Sequence, residues 1–382
     1  MPAVPDRSNW RARVADFDGK AARDAAARIK DPVMVGETPL RALAHQEIST
    51  EPTQLRSIER FPYYTSFPFS WYRAALSRDL PVGGVKPLRY LGRDLVLWRG
   101  EDGAPHVMDA YCPHLGAHLG YGGRVAGCEL VCPFHWWQFD GEGRNTLIPY
   151  LETNNSSVRV HSYPTVDRNG LILFWYHPLG ESPLWEIPEL EEVGDPGWTE
   201  FDSEFWRVRA PWQELAENGP DFVHLRTVHG SVLVPELESY ECEDFVSRMR
   251  ARVSFETPRG PQRGRIDTDT WGAGFGVARF SGVGDVLFVA ASTPIDFEYT
   301  EVCFNYMIKR VGDTPEAAEK TLRLGRALIA DLKKQEAEDI VIFDHKIHLP
   351  SPKLSGVDAP IIKFRNWARQ FYVSGDPRAV NS

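Results

Sequence analysis

Two short cysteine–histidine pairs constrain this chain more than any other feature: Cys112-Pro-His114 and Cys132-Pro-Phe-His135, with seventeen residues between His114 and Cys132. Each pair follows an apolar run, so short strands must bring two loops face to face if the four side chains are to share one group. Two thiolates and two imidazoles suit tetrahedral zinc. They also suit a [2Fe–2S] centre in which two histidines replace two cysteines on one iron. The order along the chain favours the second. Zinc sites usually pair Cys with Cys and His with His, whereas here each loop offers one of each, one ligand per iron from each loop. Glycines at 116 and 120 allow tight turns, and Trp136, Trp137 and Phe139 provide an aromatic cover. Cys128 and His118 lie nearby but off the spacing; they read as a packed thiol and a solvent-facing imidazole.

Composition narrows the class. Five cysteines in 382 residues, with Cys242 and Cys303 standing alone, do not make a disulfide framework and fit a reducing compartment. The formal charge of −10 argues against nucleic-acid binding, which needs a basic surface. With 42% apolar residues the chain can bury a core, and its length calls for more than one domain. No run reaches the length of a membrane span, and the first ten residues lack the apolar centre of a secretory leader. The expectation is a soluble, cytoplasmic protein.

The fold class expected is α+β in three parts. Residues 1–62 read as an N-terminal helical extension, with a helix over Trp10–Lys30 ended by Asp31-Pro32. Residues 63–180 show short alternating runs, such as Asp94–Arg99 and Val107–Ala110, broken by glycine, and read as a small antiparallel β domain. A proline-bearing linker, Pro178–Trp198, leads into residues 181–382. There a helical patch over Gln213–Leu225 precedes strands at Asp285–Ala290 and Val302–Ile308, then a long amphipathic helix over Pro315–Phe343. Gly272, Gly274 and Gly276 do not match the dinucleotide turn and read as a hairpin.

A second constellation lies in the helical patch: Asn218, Asp221, His224 and His229. An α-helix would put Asp221 and His224 on one face. His229 falls about 140° away on a regular helix. The imidazoles therefore converge only if the helix carries a π-type bulge or unwinds before Gly230. A third ligand is needed from elsewhere. On the long helix the apolar stripe passes through Leu328, Leu332 and Phe343. Asp339 falls in its middle, Glu336 at its margin, and Glu338 and Asp344 point about 100° or more away. A carboxylate centred on a buried stripe is costly unless paired or metal-bound. Asp339 thus completes a two-histidine, one-carboxylate face of the kind that holds non-haem Fe(II) with open positions.

With both constellations in this order, the chain resembles the catalytic α subunits of the Rieske non-haem iron oxygenases over roughly residues 65–375. Glu338–Phe343, Lys363–Tyr372 and the run Cys112–Gly120 look like the branch of the 3-ketosteroid 9α-hydroxylase oxygenase and the Neverland-like cholesterol 7-desaturases. The resemblance implies a Rieske β domain followed by a helix-grip (START/Bet v 1-like) catalytic domain. It implies that Cys112 and Cys132 bind the inner iron of the cluster and His114 and His135 the outer one. His224, His229 and Asp339 would bind the mononuclear iron, Asn218 would sit beside it, and Asp221 would link an iron-bound histidine to His135 of a neighbouring subunit in a homotrimer. The implied activity is hydroxylation or desaturation of a steroid- or sterol-like substrate with O2. The electrons would come from NAD(P)H through a separate ferredoxin or ferredoxin reductase, or both; Arg124 and Arg144, flanking the cluster loops, read first as solvated surface charge and only second as a docking patch for it. An aromatic-ring-hydroxylating dioxygenase is the alternative within the class. A non-catalytic electron carrier or zinc protein would need the first constellation alone.

Overall fold

Apolar runs broken by glycine fold as short antiparallel ribbons, because a half-buried strand alternates in polarity and glycine lets the chain reverse. The computed structural model describes residues 55–155, 157–229, 234–255, 260–282, 284–312 and 314–373. Ahead of them lie two short paired strands, β1 (Met34–Val35) and β2 (Thr38–Pro39). The helix expected over Trp10–Lys30 lies outside the described residues. A short helix, α1 (Ser57–Arg60), leads into the first large unit.

That unit runs through β3 (Ser70–Leu76), β4 (Val85–Tyr90), β5 (Arg93–Arg99), β6 (Pro105–Asp109), β7 (Arg124–Ala126), β8 (Glu129–Val131), β9 (Gln138–Phe139), β10 (Asn145–Leu147), β11 (Ser162–Tyr163), β12 (Thr165–Arg168) and β13 (Leu171–Tyr176). They form antiparallel sheets ordered β11-β6-β5-β4, β12-β13-β3 and β10-β9-β8-β7. The cysteine–histidine pairs occupy the β6–β7 and β8–β9 connections. Beneath them Trp98, Met108, Leu119, Leu130 and Phe139 pack with Cys112 and Cys132 in one buried cluster.

No regular element lies between β13 and the next strand. This linker is nevertheless anchored: Ile187 and Leu190 are buried, and Trp71 Nε1 donates to the Trp185 carbonyl at 2.8 Å. The second unit continues with β14 (Asp202–Val208), α2 (Trp212–Ala216), α3 (His224–Thr227), β15 (Glu236–Glu243), β16 (Val246–Phe255), β17 (Gln262–Trp271), β18 (Phe275–Ser281), β19 (Val286–Pro294), β20 (Thr300–Ile308), α4 (Pro315–His345) and α5 (Ala359–Ala368). Its antiparallel sheet is ordered β14-β20-β19-β18-β17-β16-β15. Helix α4 begins where the Thr314 side chain accepts from Ala317 N, a cap that satisfies one free amide of the first turn. Its Leu322, Leu328, Ile329 and Leu332 lie on Phe280, Val286, Tyr306 and Ile308 of the sheet. This is the α+β, helix-on-sheet architecture expected.

The two units share a core. Strand β13 is buried along its whole length, paired with β12 and β3 and sharing one buried cluster with Phe275, Leu287, Val289 and Cys303 of the large sheet. The β17–β18 hairpin meets β3 so closely that a Cβ on Gly274 would stand 2.0 Å from the Trp71 carbonyl oxygen. The glycine-rich stretch is the hairpin expected, and the structure adds that its glycines let it pack closely.

Two local expectations are corrected. The helical patch over Gln213–Leu225 is broken: α2 ends at Ala216 and helix resumes only at His224. Asp221 therefore precedes α3 instead of sharing its face with His224. No π-bulge forms. Helix α3 ends at Thr227, and the chain bends through Val228 to bring His229 round. Pro220, which cannot donate to a helical ladder, sits in the gap. Among the described residues no helix is long and apolar enough to cross a membrane.

Candidate metal centres

The two cluster loops are one turn used twice. In the first, Cys112 N donates to the Ala117 carbonyl at 2.8 Å and Gly116 N to the Cys112 carbonyl at 2.9 Å. In the second, Cys132 N donates to the Trp137 carbonyl at 2.8 Å and Trp136 N to the Cys132 carbonyl at 3.1 Å. Both turns need left-handed backbone four residues after the cysteine. Gly116 takes it at φ 75°, and Trp136 takes it at φ 58° without being glycine. The Arg124 guanidinium stands 5.1 Å over the Trp136 ring, and Arg144 is bound to Asp140 at 2.7 Å.

The four side chains meet at the loop tips. Cys112 and Cys132 are buried. The His114 and His135 rings lie 4.7 Å apart, and His114 stacks on Trp137 at 4.5 Å. His135 Nδ1 is buried without a hydrogen-bond partner among the described residues. A hydrogen bond between the thiols pulls Cys132 down to about 6, while the same bond, with burial, pushes Cys112 up. Two buried cysteine sulfurs and an orphaned imidazole nitrogen in one spot fit a cluster that would take all of them as ligands. Cys128 is exposed on the β7–β8 turn, not packed as expected. His118 Nδ1 accepts from Gly120 N at 3.0 Å.

The second site forms where the bend after α3 faces α4. Ligand atoms of His224, His229 and Asp339 all lie within 4.8 Å of one another. Asp339 Oδ1 is 3.2 Å from His229 Nε2 and Oδ2 is 4.0 Å from His224 Nε2. Asn218 Nδ2 donates to Asp339 Oδ2 at 2.7 Å, so the carboxylate is fixed by a neutral donor and not by an arginine. The Asp221 carbonyl, not its carboxylate, meets His224 Nδ1. Burial lowers the His224 pKa. Burial also works against a charged His229, but hydrogen bonds and charge from Asp339 and Glu338 outweigh it and raise that pKa. Two imidazoles and a buried carboxylate with converging atoms fit a divalent iron.

One contact escaped the helical-wheel reading. Glu338, expected to point away, places Oε2 at 3.0 Å from His229 Nδ1. Asp344 does turn elsewhere and accepts the Arg209 N–H at 2.7 Å. Glu336, expected at the margin of the stripe, is half-buried and hydrogen-bonded to the Tyr306 hydroxyl.

A cavity of about 350 Å³ opens on the triad between α4 and the large sheet. Phe222, Ile266, Ala278, Phe280, Phe288 and Phe304 give it an apolar wall. Its size and lining are those of a site for a small apolar molecule.

Comparison with known proteins agrees with both halves. Residues 70–164 match the Rieske [2Fe-2S] domain, and residues 174–372 match the 3-Ketosteroid 9alpha-hydroxylase C-terminal domain. The chain is 31% identical over 330 residues to cholesterol 7-desaturase nvd of Bombyx mori, covering 80% of this chain and 70% of that protein. It is 26% identical over 346 residues to the oxygenase component of 3-ketosteroid-9-alpha-monooxygenase from Rhodococcus rhodochrous, covering 85% and 89%. The fold is shared with dicamba monooxygenase bound to dicamba (TM-score 0.60, 19% identity, 79% of this chain and 96% of that one). It is also shared with Pseudomonas putida CBB5 NdmA with caffeine (TM-score 0.62, 20% identity, 81% and 91%).

A Rieske unit joined to a helix-on-sheet unit with a two-histidine, one-carboxylate site defines a class of oxygen-using enzymes. The chain belongs to the Rieske non-haem iron oxygenases, in the family of the 3-ketosteroid 9α-hydroxylase C-terminal domain. It is an oxidoreductase of the EC 1.14 class whose cofactors are a Rieske [2Fe–2S] cluster and a mononuclear non-haem iron. The reading as a bare carrier or zinc protein falls with that match. As an oxygenase component it depends on electron-transfer partners.

Proposed function

We propose that this protein is the terminal oxygenase of a multicomponent system that hydroxylates or desaturates a steroid- or sterol-like substrate. The observation that carries the proposal is the apolar cavity opening directly on His224, His229 and Asp339. The relatives named for cholesterol desaturation and ketosteroid oxygenation support the substrate class.

In this reading Cys112, His114, Cys132 and His135 hold the cluster, and His224, His229 and Asp339 hold the iron. Bound there, the two groups supply electron transfer and oxygen activation, chemistry that no side chain provides. The protein's residues do the rest. Asn218 keeps Asp339 turned toward the histidines, and the Asp221 carbonyl holds the ring of His224. The aromatic wall positions an apolar substrate and keeps bulk water away. Asp221 is the link to the cluster of a second copy, through that copy's His135, in a homotrimer. Leu115, Tyr121, Phe134 and Trp136 are all more than half exposed around the cluster loops, an apolar tip suited to docking on another chain.

Metal and product analysis test this together. About three irons and two sulfides per chain are expected, with one new hydroxyl or one new C=C in a steroid supplied with a surrogate reductase. A cis-diol from an aromatic compound, with steroids untouched, overturns the substrate assignment. A monomer in sedimentation that still turns over removes the intersubunit link.

A further inference from the structure

Between α2 and α3 the chain passes through Glu217, Asn218, Gly219, Pro220 and Asp221 outside any α-helix. Turn bonds tie it back to α2, from Asn218 N to the Leu215 carbonyl at 3.1 Å and from Gly219 N to the Ala216 carbonyl at 3.2 Å. Pro220 has no N–H to add. Two side chains fasten the turn to two other helices. Asn218 Nδ2 donates to Asp339 Oδ2 of α4 at 2.7 Å. Glu217, the residue before it, is buried and is held from α5: Arg365 Nε donates to its Oε1 at 2.7 Å and Nη2 to its Oε2 at 2.8 Å. Gln213 Nε2 adds a longer contact to Oε1 at 3.4 Å. The remaining arm of the guanidinium, Nη1, donates to the Leu349 carbonyl at 2.7 Å, on the segment that leaves α4.

A buried ion pair is seldom more stabilising than apolar side chains of the same volume, because both charges are stripped of water. What this pair adds is direction. A guanidinium fork bound to both oxygens fixes a carboxylate in plane as well as in distance, which an ammonium or an apolar contact does not. Here the residue so fixed is the chain neighbour of the one whose amide orients Asp339.

We propose that Arg365 is a positioning residue for the iron site: it clamps Glu217, which sets where the Asn218 amide stands, and that amide sets the orientation of Asp339. The inference rests on the iron site proposed above and makes one specific demand. Because Arg365 reaches Asp339 through Asn218, its removal should cost nothing more once that amide is gone.

Iron retention tests this, measured by chelator competition on the reduced holoenzyme. Asn218→Ala should hold iron about 10–100-fold more weakly, the usual cost of losing a ligand's hydrogen-bond partner. Glu217→Leu combined with Arg365→Met leaves no charge buried alone, so that protein should melt near wild type. It should nevertheless hold iron about 10-fold more weakly, with the visible spectrum of the cluster unchanged. Added to Asn218→Ala, the same two substitutions should cause no further loss. Arg365→Lys, which keeps the charge without the fork, should fall between wild type and the apolar pair. The EPR signal of the ferrous site with nitric oxide should change in the same way in Asn218→Ala and in the apolar pair. Full iron retention by the apolar pair, or a further loss on top of Asn218→Ala, overturns the inference. Should the apolar pair fail to fold, Arg365→Lys decides, and iron held as in wild type overturns the role of Arg365. Full retention by Asn218→Ala alone removes the role given to Asn218 and this inference with it. A wild-type protein that holds no iron beyond its cluster removes the proposed site itself.

Discussion

Glu338 and Asp339 hold His229 from opposite sides. Glu338 Oε2 lies 3.0 Å from Nδ1, and Asp339 Oδ1 lies 3.2 Å from Nε2. Adjacent residues on one helix thus fix both nitrogens of one imidazole, whose side chain is 2% exposed. A carboxylate behind a ligand histidine sets its tautomer and raises its basicity.

Glu338→Ala should therefore weaken iron binding about 10–100-fold, the usual cost of losing such a support. Glu338→Gln should recover part of the loss. Chelator competition on the purified protein measures this; unchanged iron retention in the alanine variant would mean that the contact orients nothing.

Asp221→Asn should leave iron and sulfide content near normal while nearly abolishing substrate oxidation. The Asp221 backbone carbonyl that meets His224 is untouched by the substitution, so the iron site should persist. Metal analysis alongside product formation checks it. Full turnover would contradict the electron-transfer link.

Acid should unfold the protein partly through Glu214. Its carboxylate is fully buried and receives the Tyr64 hydroxyl at 2.8 Å, Lys346 Nζ at 2.8 Å and His348 Nδ1 at 2.6 Å. Burial raises its pKa, but His348 and Lys346 outweigh burial and bring it down to about 2 from an ordinary 4.5. Since the folded pKa is the lower one, the unfolded chain takes up the proton first. The stabilisation is present above about pH 4.5 and is lost as pH falls toward 2. Denaturation midpoints of wild type should drop across this window more steeply than those of Glu214→Gln. That variant should itself be weaker at pH 7 by about 3–5 kcal/mol, because it leaves Lys346 without its partner.

Gly274→Ala should destabilise the joint between the two units, since its Cβ would meet the Trp71 carbonyl oxygen at 2.0 Å. A cost of about 1–3 kcal/mol is expected, read as a lowered melting temperature. Gly356→Ala, where nothing lies within 4 Å, serves as the control. Equal melting of the two variants would show that the hairpin yields freely.

Much of the fold was legible because its signals are local. Alternation marked the strands at 94–99 and 302–308, and the long helix begins at the expected Pro315. The broken patch around Asp221 was misread because helical spacing says where side chains would point if the helix continued. Pro220 shows only that it is interrupted. Cys128 was misplaced because exposure on a two-residue turn leaves no periodic trace.

The chain alone specified the chemistry at each loop, since Cys112 with His114 and Cys132 with His135 are neighbours whose tight turns bring them together whatever the rest does. It also singled out Asp339, because a carboxylate in a buried stripe demands a partner. Folding decided which groups stand around that carboxylate. Asn218 and His229, more than a hundred residues upstream, reach it only once α4 lies across the sheet. The same packing gives Glu338 its imidazole and sets Glu336 against the Tyr306 hydroxyl. Periodicity fixes a side chain's direction relative to its own helix, whereas the approach of a second element is set by the sum of many weak contacts spread along the whole chain.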